Sequence, residues 1–192
     1  MIHKALDILR AGVATFLKKL PDLNVSNDTV VVLSPIVKTD GSSAVQENTL
    51  ALTLVNIEEE RIARSPSTVS IDTNGRVSHR NPEIRLNLYL MVTSHFKDYK
   101  TALEFLSATI RFFQSKNVFT PENTPGLDST IEKLLVELYT MDFEQQNHLW
   151  ATLGGKYIPS VIYRVRMLIL QESQKIDEQP QITTITFASR GI

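Results

Sequence analysis

The sequence predicts an α+β fold, with a mostly antiparallel sheet flanked by about three helices. Two segments, 2–20 and 99–116, repeat apolar residues every three or four positions, which is typical of amphipathic helices. Two others, 84–93 and 160–170, alternate apolar residues with partly polar ones, which is typical of strands. A chain of 192 residues is long enough to bury a sizeable core in a single domain.

The N-terminal part predicts one helix followed by two strands. The helix over 2–20 ends at Pro21, because proline cannot continue the helical hydrogen bonding. The run 29–34 is short, apolar and β-branched, as in a buried strand. A second strand is predicted from Thr49 to Arg64. Its alternation predicts two faces, with Leu50, Leu52, Leu54 and Asn56 on one and Ala51, Thr53, Val55 and Ile57 on the other.

A polar stretch, 64–81, precedes the clearest strand of the chain. It forms either a long connection or a two-stranded excursion, and Asn74-Gly75 is its best candidate for a type I′ hairpin turn. The strand at 84–93 then alternates Ile, Leu and Val with a second, less apolar set of residues.

The middle of the chain predicts a second helix and one ambiguous segment. Asp98 is placed to cap a helix over 99–116. The broad apolar stripe of this helix predicts a buried face made of Ala102, Leu103, Phe105, Leu106, Thr109, Ile110 and Phe113. The segment 131–140 fits both a helix and a strand, and its periodicity does not decide between them.

A third helix and a last strand follow. Asp142 and Gln145 have the spacing of a capping box, which predicts a helix over 143–153. Gly154 and Gly155 end that helix. The strand at 160–170 comes next, and Pro159 suits the position before it, where a missing N–H is tolerated.

The C-terminal residues look separate from the domain. Residues 171–180 are polar and predict a linker, whereas 181–187 are again strand-like. We therefore expect one α+β domain over 1–170, and a linker with an extended C-terminal arm over 171–192.

Composition and motifs argue against most chemistry. Twenty basic and twenty-one acidic residues leave no cationic excess, which disfavours nucleic-acid binding. The absence of cysteine excludes disulfides, thiolate nucleophiles and Cys-based zinc sites. No run of 18 apolar residues predicts a transmembrane segment, and the N-terminus lacks the pattern of a signal peptide.

The histidines and glycines give no catalytic motif either. His3, His79, His95 and His148 are isolated from one another and from any metal-binding spacing. Gly155-Lys156 fails as a phosphate loop, because Trp150 stands where the first glycine belongs. We expect no enzyme activity, no cofactor and no metal; a site assembled from scattered residues is the weakest alternative.

Two blocks of sequence carry a family resemblance. One is the strand Leu86-Asn87-Leu88-Tyr89-Leu90-Met91-Val92-Thr93, and the other runs from Asn147 through Leu149-Trp150 and Tyr157-Ile158-Pro159-Ser160 to Val165. In their order and spacing they resemble the tail-terminator, or cap, proteins of phage-tail-like contractile injection systems. The resemblance is to the N-terminal domain of the cap proteins of antifeeding-prophage and Photorhabdus-virulence-cassette particles.

The resemblance implies a tail-terminator fold in which 131–140 is a strand. It also implies a homohexameric ring with no catalysis, whose partners are the inner tube and sheath proteins of the particle. Such a ring assembles in the cytoplasm, on a particle that is then released or membrane-anchored. The function expected is a cap that ends polymerisation; the alternatives are an adaptor ring beneath an outer cap and a cytoplasmic protein-interaction module without a particle.

The candidate interface residues fall in two places. Trp150 is expected first to anchor the core beneath the Gly154-Gly155 turn and next to serve a subunit interface, together with Tyr157. The arm either adds as a strand to the sheet edge of a neighbouring subunit or folds back on its own sheet. The arm residues expected to make contact are Ile182, Thr184, Ile185, Thr186 and Phe187.

Overall fold

The protein is described by a computed structural model over residues 1–25, 28–60, 69–71, 77–79, 84–169 and 178–179. The helices are α1 (Ile2–Lys18), α2 (Tyr99–Ser115) and α3 (Phe143–Leu153), and 3-10 turns occur at Pro21–Leu23 and Asp28–Val30. The strands are β1 (Val31–Leu33), β2 (Thr49–Glu59), β3 (Val69–Ile71), β4 (Val77–His79), β5 (Ile84–His95), β6 (Val118–Phe119), β7 (Ile131–Tyr139), β8 (Ser160–Ile169) and β9 (Glu178–Gln179).

Six of these strands form one sheet in the order β1-β2-β5-β8-β7-β6. Only β1 and β2 pair in parallel, and every other neighbour in this sheet is antiparallel. The predicted α+β class, with a mostly antiparallel sheet and three helices, is confirmed for the described residues. The ambiguous segment is the strand β7, as the resemblance implied.

The helix ends follow the predicted local chemistry. Asp98 Oδ2 accepts a hydrogen bond of 2.8 Å from the backbone N–H of Thr101 at the start of α2. The capping box of α3 is complete, because Asp142 and Gln145 each bond the other's backbone N–H. Gly154 ends α3 with a φ of 65°, in the left-handed region that favours glycine.

The sheet has a packed core on each face. One core joins α1 and α2 to the sheet through residues such as Leu9, Phe112 and Leu90. Neighbouring strand residues point to opposite faces, so Met91, next to Leu90, lies in the other core, where α3 packs. The buried members of this second core are Ile36, Met91, Trp150 and Ile162.

One sequence prediction fails at a β-bulge in β2. Leu54 pairs with Leu90, but Asn56 pairs with the next residue, Tyr89, so Val55 is an extra residue in the ladder. The bulge reverses the alternation that follows it. Asn56 therefore does not share a face with Leu54, and Ile57 does, contrary to the prediction.

The polar stretch is the predicted two-stranded excursion. β3 and β4 pair antiparallel, with Ile71 opposite Val77, while the proposed turn residues 72–76 lie outside the described part. β9 pairs with β4 and completes a three-stranded sheet. The predicted linker 171–180 thus contains two strand residues, because Glu178 and Gln179 add to the excursion of their own chain.

Candidate assembly surface

The described residues offer little chemistry. In the ranges given above, no three His, Asp or Glu side chains come together in a way that could hold a metal ion. None of the helices described is both long enough and apolar enough to cross a membrane. The features that remain to be explained are exposed apolar side chains and an incompletely paired sheet edge.

Trp150 and Tyr157 are neighbours, with their rings edge-on and their centroids 5.7 Å apart. Trp150 is 6% exposed and packs between α3 and the sheet, and a Cβ on Gly155 would lie 3.4 Å from its ring. Trp150 is therefore the core anchor beneath the glycine turn, which is the first of the two roles that the sequence predicts for it. Tyr157 is 63% exposed, and the interface role predicted for both residues stays a prediction.

The remaining candidates belong to the C-terminal arm. Ile182, Thr184, Ile185, Thr186 and Phe187 lie outside the described residues, which end at Gln179. Their contacts therefore stay predictions. What the structure adds is the surface that such an arm could meet.

That surface is the outer edge of β7, which β6 covers only in part. β6 pairs with Leu134 and Leu135, and the N–H of Val136 donates to the carbonyl oxygen of Asn117 at 2.8 Å. Backbone groups two residues apart on a strand point the same way, so the N–H and C=O of Leu138 face this same edge. No backbone group in the described part pairs with Leu138 there. We call this the open edge.

Apolar hollows flank the open edge on both sides of the sheet. The α2 hollow, of about 440 Å³, lies between α2 and β7 and is lined by Ile110, Phe113, Val136 and Tyr163. The α3 hollow, of about 240 Å³, lies between the end of β7 and α3 and is lined by Met141, Gln146, Leu149 and Trp150. Leu138 borders both hollows, and it is 58% exposed.

An exposed apolar stripe on α2 continues this surface. Tyr99, Leu103 and Ile110 are spaced by four and seven residues, so they share one side of the helix, and all three are exposed. The sequence assigned Leu103 and Ile110 to the buried face, and for these two that prediction is wrong. The helix is buried through Ala102, Phe105, Leu106, Ala108, Thr109, Phe112 and Phe113 instead.

The other face of the sheet carries paired charges beyond the α3 core. Arg164 Nη2 donates to Glu137 Oε2 at 2.9 Å across the β7–β8 pair. Tyr89 Oη donates to Glu58 Oε2 at 2.9 Å across β2 and β5, and burial together with this bond raises the pKa of Tyr89. Arg166 Nε also lies 3.3 Å from Glu137 Oε2, so two arginines share this carboxylate.

Two solved structures have a similar fold. The first is the sheath/tube terminator, in its extended state, of the extracellular contractile injection system PVC. It matches with a TM-score of 0.62 and 14% identity, over 100% of this chain and 64% of that one. The second is the tube-terminating cap of the anti-feeding prophage. It matches with a TM-score of 0.55 and 12% identity, over 91% of this chain and 58% of that one. The chain spans less than two thirds of either structure, and identities this low show the fold alone.

Sequence comparison supplies the family. No curated protein matches the chain. The family model of the Pvc16 N-terminal domain matches residues 6–184, which is nearly the whole chain and extends into the arm. The match agrees with the resemblance carried by the two sequence blocks. The chain therefore belongs to the Pvc16 N-terminal domain family.

Proposed function

We propose that copies of this chain form a ring on the distal end of the inner tube and sheath of a contractile injection system, and that this ring ends their polymerisation. The observation that carries the proposal is the family match over residues 6–184. It is supported by a fold like those of a sheath/tube terminator and a tube-terminating cap.

In the proposed mechanism, the ring covers the surfaces to which the next disc of tube and sheath subunits would bind. The end of a polymer presents the same unfilled surface on every subunit of its last disc. A ring that binds all of these surfaces, and does not itself offer the next one, stops addition. Six copies per ring match the hexamer that the resemblance implies. Assembly would take place in the cytoplasm, before the particle is released or anchored at a membrane.

The surface chemistry suits this role better than catalysis. The open edge and the α2 stripe of Tyr99, Leu103 and Ile110 expose apolar and backbone groups that a stable contact would cover. On the opposite face, Glu137 is held by Arg164 and Glu58 is held by the hydroxyl of Tyr89. We accordingly propose a structural part that binds protein partners and carries out no reaction.

The test is a polymerisation assay with purified tube and sheath proteins. Rising amounts of this protein should shorten the polymers and place one ring-shaped density at their ends in electron micrographs. The mass of the ring, measured in solution or on the particle, should be six times that of the chain. On particles isolated from cells, a second disc of density beyond the ring would instead indicate an adaptor. A protein that ignores both polymers would contradict the proposal.

A further inference from the structure

We propose that the open edge of β7 at Leu138 accepts the C-terminal arm of a neighbouring copy as an added strand. The inference rests on the proposed ring, since it concerns how its subunits are joined. It assigns both halves of a subunit contact: the acceptor is the open edge, and the occupant is the segment 181–187.

The backbone of the acceptor is suited to strand addition. Leu138 presents one N–H and one C=O outward, and its neighbours Glu137 and Tyr139 hold the strand in place by pairing with Arg164 and Ile162 of β8. A strand laid along this edge would gain two backbone hydrogen bonds at Leu138, of the kind that β6 makes further along β7. Edges of this kind are the usual templates for strand addition.

The two hollows give the acceptor side-chain selectivity. Side chains of an added strand alternate between the two faces, so one set would enter the α2 hollow and the other the α3 hollow. The α2 hollow is the larger, at about 440 Å³ against about 240 Å³. The bulkier set of side chains in the occupant should therefore face α2.

The sequence of the arm matches this requirement. Residues 181–187 read Gln-Ile-Thr-Thr-Ile-Thr-Phe, with no charge, no glycine and no proline. Ile185 and Phe187 share one face, and Ile182, Thr184 and Thr186 share the other. We assign Ile185 and Phe187 to the α2 hollow, and the smaller threonine face to the α3 hollow.

The arm can extend well beyond the last described residue. Phe187 lies eight residues beyond Gln179, the last described position, and an extended strand rises roughly 3.3 Å per residue, so the end of the occupant lies up to about 26 Å from Gln179. An arm and an acceptor on different parts of the surface make a head-to-tail contact. Repeated contacts of that type close into a ring when the rotation between copies allows it.

The absence of cysteine permits a direct test by disulfide trapping. One set of copies carries Leu138→Cys as its only cysteine. A second set, with a different tag, carries a single cysteine at 183, 184, 185 or 186. The two sets are mixed, assembled on particles as caps, and oxidised. Paired strand residues are close enough for a disulfide, so a species of two chains should form. Its yield should alternate along the four positions, because only one face of the added strand lies beside residue 138. Ile57→Cys, also exposed but on β2, which β5 and β8 separate from β7, is the matched control and should not trap the arm.

A proline substitution distinguishes strand addition, which needs the backbone N–H of residue 138, from a contact made by apolar side chains alone. Leu138→Pro removes the outward N–H without removing a hydrogen bond to β8, whereas Leu138→Ala shortens the side chain and keeps the N–H. We expect a synthetic peptide of residues 180–192 to bind protein truncated after Gln179. Leu138→Pro in that protein should weaken binding roughly tenfold, more than Leu138→Ala does. Urea unfolding of both variants controls for loss of fold.

The outcomes separate the two proposals. Rings that form on polymer ends without any trapped species would overturn the arm contact and leave the terminator function standing. A further variant that carries Leu138→Cys and one arm cysteine in the same chain tests the fold-back alternative. A disulfide that forms only within single chains of this variant would show that the arm folds back on its own sheet, and would overturn the contact between copies. Absence of rings with wild-type protein would overturn the terminator function itself.

Discussion

Phe113 of α2 packs against Tyr163 of β8 with ring centroids 4.6 Å apart and an interplanar angle of 50°. The contact holds α2 on the sheet and buries Tyr163 almost completely. Its hydroxyl oxygen is buried as well, and within the described part of the chain it has no hydrogen-bond partner. Burial consequently raises the pKa of Tyr163.

Replacing Tyr163 with Phe should therefore stabilise the fold. A buried hydroxyl without a partner costs about 1–3 kcal/mol of desolvation, and Tyr163→Phe removes it while keeping the ring contact with Phe113. We expect the free energy of unfolding in urea to rise by about 1 kcal/mol. Tyr157→Phe, at an exposed position, should change it little. A clear loss of stability in Tyr163→Phe would show that the hydroxyl has a partner.

Truncation of Trp150 should release α3 from the sheet. Trp150 is the one buried residue of α3, and it packs in one core with Met91 and Ile162. Trp150→Ala should lower the free energy of unfolding by about 3–5 kcal/mol, because it opens a large cavity in a small core. Phe143→Ala at the start of the same helix is the matched control. Phe143 is 90% exposed, so its loss should cost under about 0.5 kcal/mol; equal losses would place the anchor of α3 elsewhere.

Local signals predicted the elements well because each depends on neighbouring residues. The Asp142 and Gln145 capping box located the start of α3, and Gly154 located its end. Strict alternation located β5 and β8. The bulge at Val55 could not be predicted in this way, since alternation assumes that no residue is inserted, and a bulge depends on the partner strand.

The candidate surface was predicted less well because it depends on how elements meet. Periodicity placed Leu103 and Ile110 on an apolar face but could not say that the sheet would leave them uncovered. Leu138 is exposed for the same reason, since β6 is too short to cover the end of β7. The one available signal was the ambiguity of 131–140, whose two apolar faces fit a strand with a helix on each side of the sheet.

A methyl group added at Gly12 should destabilise the contact between α1 and α2. Its Cβ would come within 2.8 Å of Phe112 Cζ, and that ring is held by Phe16 and Phe113. Glycine to alanine in a helix normally gains about 0.5–1 kcal/mol. Gly12→Ala should instead lose about 1–3 kcal/mol of unfolding free energy, from overpacking.

The check on Gly12 is a double-mutant cycle with Phe112→Leu. The smaller side chain makes room for the methyl group, so the two substitutions together should cost less than the sum of their separate effects. Additive losses in urea unfolding would mean that Phe112 is not the obstacle. A gain in Gly12→Ala alone would mean that the ring moves aside freely.

His95 should make stability depend on pH below neutrality. It is half-buried at the end of β5, where its Nε2 lies 2.8 Å from Thr93 Oγ1, and burial lowers its pKa below the ordinary value of 6.5. The unfolded chain takes up a proton near pH 6.5, whereas the folded chain does so only at lower pH. The stability that neutral His95 provides is thus complete above pH 6.5 and is lost as the pH falls through the pKa of the folded state.

The measurement is the urea midpoint from pH 7.5 to 5, compared between wild type and His95→Gln. Glutamine retains a group that can bond Thr93 and does not titrate, so its midpoint should fall less steeply as the pH drops. The nearby Lys97 and Glu47 form an exposed ion pair of 3.0 Å that both proteins share, so its effect cancels in the comparison. If the urea midpoint depended on pH equally in wild type and His95→Gln, the folded and unfolded states would bind the His95 proton equally well. Burial at this site would then have no effect on the pKa of His95.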